Sequence, residues 1–519
     1  MFSKVLIANR SEIACRIIRA CQKLGIKTVA VFSEADQHSL HVKLADEAFL
    51  LGPPSPKESY LNISRIISIA RASHADAIHP GYGFLSQNPD FARACQEADI
   101  RFIGPYPYVM ENMEDKVKAR NLAKRAGLPI LPGTDSPVPD SQADSTARDL
   151  GFPLMVKAAQ GGGGIGIRII NSPEELAPVL HQLRSLASNA FGSPHLYFER
   201  YMPNASHIEV QVMGDEHGNL VHLRERDCSV QRRNQKIVEE SPSHASKLSP
   251  HQRSLLWDYA LRLARHIGYT NAGTVEFLAS PEGEVFFLEM NTRLQVEHGV
   301  TELTTGLDLV ELQLRVASGE YLPVSQEDVS SNGHAIEVRI YPEDPDSFIP
   351  SAGIINDFQQ PSGQHVRIDS GLFPGYEVST HYESLIAKLM CWGQDREEAR
   401  VRMLDALDEF RLEGVKCNIP ALKRVLANED FIEGSYDTGF LVKMAETARA
   451  ASGIGVYSGS QVDVADMELA AAIGAALLVS MNGATPAGGY HPVDWPSPWK
   501  LYGRREQMVS RSLGGRSWR

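Results

Sequence analysis

The stretch Glu289-Met-Asn-Thr-Arg-Leu-Gln-Val-Glu-His298 constrains this chain more than any other. The apolar, aromatic run Val285-Phe-Phe-Leu288 leads into it and predicts a strand. In extended backbone Glu289, Asn291, Arg293, Gln295 and Glu297 share one face, because side chains alternate with a period of two. That face is an acid, an amide, a cation, an amide and an acid. Burial disfavours such a row unless its charges are paired or hold a metal. One reading is a solvated edge strand with alternating charges. The other is a metal and anion site: carboxylate and amide oxygens suit Mg²⁺, and arginine suits a planar anion. The apolar lead-in favours a buried strand, and with it the second reading.

At 519 residues the chain has length for about three or four domains. With 43% hydrophobic and 22% charged residues it has the composition of a soluble globular protein. A net charge of −13 argues against nucleic acid as a main partner. The six cysteines include no Cys-x-x-Cys pair, which fits reduced thiols in the cytoplasm better than disulfides or a zinc site. Lys4-Val-Leu-Ile-Ala-Asn9 reads as a strand rather than a leader, and no apolar run reaches the length of a membrane span.

Taken in order, residues 1–115 alternate strands and helices, a βαβ pattern with a parallel sheet. Within it, His79-Pro-Gly-Tyr-Gly-Phe84 follows a strand end, where α/β sheets bind ligands; a tight turn needing its glycines is the competing reading. Residues 116–149 read as a linker helix and a hinge, the Pro-, Ser- and Asp-rich part from Thr134 to Asp149 as a mobile connection. Residues 150–203 form a small unit in which a glycine loop, Gln160-Gly-Gly-Gly-Gly-Ile-Gly166, joins two strands. The dinucleotide fingerprint needs a helix after its loop, so this is a hairpin, with Lys157 at its base placed to meet phosphate oxygens. The strand at Tyr197–Met202 carries Glu199, placed to hold an adenine and ribose.

Residues 204–330 form a larger unit. Its charge-dense run Leu223–Lys236 reads as a solvated face or a basic anion-binding loop. Thr274–Leu278 pairs back on the opening strand, and the right register brings Glu276 to Glu289. Residues 331–446 add a strand bearing Arg339 and an amphipathic helix from Arg396 to Leu412. Arg339 reads as an anion ligand or an exposed salt bridge. Residues 447–519 are a small-residue linker and a basic, tryptophan-bearing tail, read as a subunit-docking segment or an appendage without a binding role.

Together these stretches resemble the ATP-grasp biotin carboxylases. The resemblance rests on Ile7-Ala-Asn-Arg10 with Glu12-Ile, His79-Pro-Gly-Tyr-Gly-Phe-Leu-Ser86, Asp115-Lys116, Lys157 with its glycines, Glu225-Arg-Asp-Cys-Ser229 with Gln231-Arg-Arg, and Glu289–His298; it spans about residues 1–446. It implies an α/β protein: an N-terminal βαβ (pre-ATP-grasp) domain, an ATP-grasp lid at 150–203 and body at 204–330, and a biotin-carboxylase C-terminal domain at 331–446. It implies that Lys116, Lys157, Gly162, Gly163, Gly164, Glu199, Met202, His207, Gln231 and Leu278 line an ATP site. Glu276, Glu289 and Asn291 would hold Mg²⁺ or Mn²⁺. Lys236, Arg293, Gln295 and Val296 would bind bicarbonate, Glu297 would be its general base, Arg339 would stabilise the biotin enolate and Tyr82 would sit by the biotin ring.

The chain departs from the family pattern at three places. Asn234 stands where histidine is usual, the glycine loop is short and carries Gln160, Ile165 and Ile167 in place of an arginine and a methionine, and Gly299 replaces a proline. No Met-Lys-Met biotinylation motif occurs. The resemblance therefore implies a homodimer, biotin on a separate carrier protein, and a separate carboxyltransferase subunit. Several final acceptors remain open: acetyl-CoA, propionyl-CoA, pyruvate and other 2-oxo acids. Another ATP-grasp carboxylate–amine ligase and an inactive assembly homologue are the competing readings.

Overall fold

The computed structural model describes residues 1–160, 166–244 and 246–451. Gly162, Gly163 and Gly164 of the glycine loop, and the tail beyond Ala451, lie outside the described residues.

The N-terminal unit is a five-stranded, all-parallel sheet. Its order across the sheet is Glu47–Gly52, Lys27–Ser33, Lys4–Ile7, Ala77–His79, Arg101–Phe102. The helix Ser11–Lys23 buries Ile13, Ile17 and Ile18 on it. Strand order reverses between Lys4–Ile7 and Ala77–His79, and the Pro80–Phe84 loop leaves at that switch point. The loop is a tight turn that needs its glycines. Gly81 and Gly83 take φ of 62° and 70°, and Asn9 Nδ2 donates to the Pro80 and Tyr82 carbonyls, each at 2.7 Å.

The lid is a three-stranded sheet with Leu154–Ala158 in the centre, Ile167–Ile170 on one side and Leu196–Arg200 on the other. Two helices cover it. The first, Asp140–Leu150, falls in the segment expected to be a mobile connection. Its Pro/Ser/Asp composition hides Ala143 and Ala147, four residues apart, which pack into the lid core with Leu176, Leu180 and Leu183. The second, Pro173–Phe191, was not anticipated from the sequence.

The remaining units share one eight-stranded sheet. Gln235–Ser241 pairs antiparallel with His334–Ile340, so the boundary placed at residue 330 is no break in the hydrogen-bonded ladder. The charge-dense run is neither a solvated face nor a loop. It is mostly the strand Leu220–Arg232, largely buried, then a two-residue turn into Gln235–Ser241. Its charges are paired inside: Arg226, fully buried, donates to Glu209 at 2.5 Å and to Gln211, Thr274 and Thr301. The amphipathic helix expected from Arg396 to Leu412 is Arg396–Glu409, with Ala399, Met403 and Leu407 buried; Phe410 caps it, and the chain is extended again at Arg411–Glu413.

Candidate functional site

The hairpin of Asn271–Ala279 and Val285–Asn291 sets the site. Glu276 pairs with Glu289 and Thr274 with Asn291, the register assumed from sequence. The alternating row does not continue as a strand, however. Extended backbone stops at Asn291, and Arg293, Gln295 and Glu297 lie on a turn that enters the helix His298–Thr305. The row is therefore folded around one point instead of laid along a line. Asn291 Nδ2 and Gln295 Nε2 both donate to Glu276 Oε1, at 2.9 and 2.8 Å. Arg293 reaches Gln295 Oε1 at 3.0 Å and Asn291 Oδ1 at 3.2 Å. The strand is at the sheet edge, as the solvated edge-strand reading expects, yet Asn291, Gln295 and Glu297 are buried.

Lys236 comes to this point from the neighbouring hairpin. Its ammonium touches Glu209 at 2.5 Å, Glu297 at 2.6 Å and Glu276 at 3.0 Å. Burial pushes its pKa down, but Cys228 and the three carboxylates outweigh that and hold it well above the ordinary lysine value. Burial alone would raise Glu297. Lys236 on one oxygen and Arg339 on the other, at 2.9 Å, hold it well below the usual carboxylate range instead. Arg339 is buried and donates through Nε to Glu239 at 2.5 Å, so it is no exposed salt bridge. Glu239 is pushed up to about 7, by burial first.

The nucleotide-side residues form a second group. Lys157 pairs with Glu199 at 2.5 Å, and Arg120 takes the other oxygen of that carboxylate. Met202 follows that strand, half-buried. His207 lies opposite Leu278 in the ladder, accepts at Nδ1 from Gln231 Nε2 at 2.9 Å, and places Nε2 3.1 Å from Glu276. Lys116 joins the two groups: its side chain binds Glu289 at 2.5 Å, and its N–H donates to the Ala159 carbonyl of the lid. Tyr82 stands across the site from the N-terminal unit, its hydroxyl buried without a partner.

Sequence reasoning missed Glu209, Arg120, Glu239 and Arg226. The alternation His207-Ile-Glu209-Val-Gln211 was the available signal for Glu209, because it shares a face with His207. The others needed the tertiary pairing.

The donor set fits a hard divalent cation. Glu276, Glu289 and Asn291 offer only oxygens, the ligands that Mg²⁺ and Mn²⁺ take. The carboxylates of Glu209, Glu276, Glu289 and Glu297 crowd one place: Arg226 and Lys236 meet Glu209, Lys236 and Arg339 meet Glu297, Lys236 meets Glu276 and Lys116 meets Glu289, so a divalent cation would take Glu276 and Glu289 in exchange for lysine contacts. Donor atoms of His207, Glu209 and Glu276 lie within 4.8 Å of one another, as do those of Glu209, Cys228 and Glu297. Those sets include nitrogen or sulfur, and Lys236 already binds their carboxylates.

Comparison with known proteins agrees with this geometry. Residues 1–110 match the biotin carboxylase N-terminal domain, residues 115–325 the carbamoyl-phosphate synthase L chain ATP-binding domain, and residues 337–443 the biotin carboxylase C-terminal domain. The chain is 48% identical over 444 residues to biotin carboxylase 1 of Bacillus subtilis, covering 85% of this chain and 98% of that one. The structure is similar to a biotin carboxylase–β,γ-ATP complex from Campylobacter jejuni, with a TM-score of 0.84 and 44% identity over 85% of this chain and 99% of that one. It is also similar to the biotin carboxylase domain dimer of Hydrogenobacter thermophilus 2-oxoglutarate carboxylase with MgADP and bicarbonate, at 0.83 and 47% over 85% and 98%. Among the described residues no helix is long and apolar enough to cross a membrane. With its three domains matched in order and its polar turn folded around one buried lysine, the chain belongs to the biotin carboxylase family.

Proposed function

We propose that this protein carboxylates biotin on a separate carrier protein, consuming ATP and bicarbonate, as the first half-reaction of an acyl-CoA or 2-oxo-acid carboxylase. The observation that carries the reading is the triple contact of Lys236 with Glu209, Glu276 and Glu297, with Arg339 on the far oxygen of Glu297. That arrangement places one base between two cations that an anionic substrate would draw off.

Bicarbonate is a weak nucleophile, and ATP activates it as carboxyphosphate, which releases CO₂ beside the biotin ureido nitrogen. Lys236 and Arg293, with the Gln295–Val296 backbone and amide, would hold bicarbonate for in-line attack on the γ-phosphate. Lys236 then exchanges a carboxylate of the protein for that of the substrate. Glu297, relieved of that cation, regains basicity and takes the bicarbonate proton. Arg339 supplies positive charge beside the biotin ring, which Tyr82 flanks. Lys116, Lys157, Glu199, Met202, His207, Gln231 and Leu278 would line the nucleotide, with Gly162, Gly163 and Gly164 closing over its phosphates. Glu276, Glu289 and Asn291 would hold Mg²⁺ or Mn²⁺, which offsets phosphate charge. Closure excludes water, which would hydrolyse carboxyphosphate.

The family supports two partners, a biotin carboxyl carrier protein and a carboxyltransferase subunit. The dimer of the Hydrogenobacter domain supports a homodimer. All six cysteines are free thiols, in keeping with the cytoplasm. The test is ADP release from ATP, Mg²⁺, bicarbonate and free biotin. Release that requires both biotin and bicarbonate is the expected result; dependence on an amine instead, or silence from the folded protein, would sink the reading.

A further inference from the structure

Lys388 is the second lysine at the turn, and none of the roles above uses it. Its side chain is fully buried. It lies on the strand Ala387–Gly393, directly beside Arg339 on one side and Asp369 on the other. Its ammonium donates to the Val296 carbonyl at 2.7 Å, its single hydrogen bond among the described residues. Around it stand Glu12 and Asp369, each with a carboxylate oxygen at 3.8 Å, and the Tyr82 ring with its centroid at 5.8 Å. Both oxygens of Glu12 and both of Glu337 are buried without a hydrogen bond.

A buried ammonium costs several kcal/mol of desolvation unless it is paired. Lys388 forgoes close contact with every carboxylate around it and spends its one hydrogen bond on a peptide carbonyl. That carbonyl sits between Gln295 and Glu297. The preceding carbonyl is held as well: His298 Nδ1 lies 2.8 Å from Gln295 O, which can only accept, so Nδ1 carries the proton. The turn is thus fixed from behind at two successive carbonyls. The same lysine faces Glu12 on the N-terminal helix Ser11–Lys23 and the ring of Tyr82. It joins the N-terminal unit, the C-terminal sheet and the turn.

We propose that Lys388 is a positioning residue for the carboxylation step: it fixes the Val296 peptide so that the Gln295–Glu297 turn is pre-formed for bicarbonate. A charged Lys388 is supported by its surroundings, since burial lowers its pKa while Glu12, Glu337 and Asp369 raise it to a net value above the ordinary one. The proposal rests on the assignment of the turn to bicarbonate.

The test compares Lys388→Met with the charge-balanced pair Glu12→Gln/Lys388→Met, and reads bicarbonate KM, kcat and MgADP affinity. The expected result is a bicarbonate KM at least ten-fold higher in both, with MgADP affinity within two-fold and partial recovery in Lys388→Arg. A purely structural lysine would lower the melting temperature without separating bicarbonate KM from nucleotide affinity, and that result overturns the proposal. Should the lysine variants not fold, the wild-type protein decides. With [1-¹³C]valine labelling, the Val296 carbonyl resonance, assigned through Val296→Ile, should keep the downfield position of a bonded carbonyl with and without bicarbonate. A resonance at the unbonded position overturns the proposal. Wild-type protein without bicarbonate-dependent ADP release would break the functional reading instead, and so the two failures are told apart.

Discussion

The front and the back of the Gln295–Glu297 turn are both held by a buried lysine, and they are held differently. In front, Lys236 makes three short contacts to carboxylates and its side chain keeps 12% exposure. Behind, Lys388 has none, keeps its carboxylates at 3.8 Å and binds a backbone carbonyl. An ion pair can be exchanged for a ligand of the same charge; a lysine sealed on a peptide has nothing to exchange with. The front is therefore built to rearrange when an anion arrives, and the back to stay. The glycine at 299 belongs to the back. A Cβ there would stand 2.2 Å from Met390 Sδ, so Met390 fills the space that the usual proline would need.

The most severe break of the front is at its base. Glu297→Ala should lower biotin-dependent ADP release by about 10²–10⁴-fold, while MgADP binding, read by calorimetry, stays within a few-fold. Wild-type turnover in that variant would refute the assignment. Next is Lys236→Met, which leaves Glu209, Glu276 and Glu297 without their shared cation. Breaking a buried pair in this way costs about 3–5 kcal/mol, and the melting temperature in chelator should fall accordingly. If these carboxylates also serve a divalent cation, millimolar Mg²⁺ should restore more stability to the variant than to the wild type. Equal Mg²⁺ shifts in both proteins would show that the lysine and the cation do not share carboxylates.

This division also separates what the sequence discloses from what it conceals. Period-two alternation locates the hairpin, but not the bulge between Glu276 and Phe277 that puts Glu276 on Glu289 while Phe277 pairs with Phe287. Alternation could not foresee that the strand would stop at Asn291, because Thr292 to Val296 carries no glycine or proline to announce a turn. Leu220–Arg232 misled for a related reason: its charges face partners from Ser206–Gly214 and Asn271–Ala279, more than ten residues away in sequence, and a charge run without its partners looks solvated. The lid helices were lost to composition. Lys388 gave no signal at all, since one lysine in Ala-Lys-Leu-Met-Cys reads as a break in an apolar strand.

Glu12 behind the turn, like Glu239 beside Arg339, responds to pH in a direction that Glu297 and Glu276 do not. Burial raises Glu12 to about 7, against an ordinary value of 4.5. The folded protein therefore holds a proton on Glu12 that the unfolded chain has released between those two values, and stability falls as pH rises through that window. The loss is complete above about pH 7, and a rise from 4.5 to about 7 corresponds to about 3.4 kcal/mol at most. Glu12→Gln should flatten this part of the stability–pH curve measured by urea unfolding between pH 5 and 8. An unchanged slope would mean that Lys388 keeps Glu12 ionised throughout. In front, Glu297 and Glu276 are depressed, so their contribution is lost only when pH falls below the ordinary carboxylate range.

The smallest effect is expected at Asn234, which the sequence marks as a departure. The strands pair Arg232 with Gln235, so Arg233 and Asn234 form a two-residue turn, with φ of 50° and 64°. Both are left-handed, the conformation of a type I′ hairpin turn, and asparagine takes it more readily than most residues. Asn234 is thus explained by the turn that delivers Lys236 to the front, two residues on. Asn234→His keeps a residue that tolerates this φ, so it should cost under about 1 kcal/mol and leave ATP KM within three-fold. A larger rise in ATP KM, with the melting temperature unchanged, would place this position at the nucleotide and not in the turn.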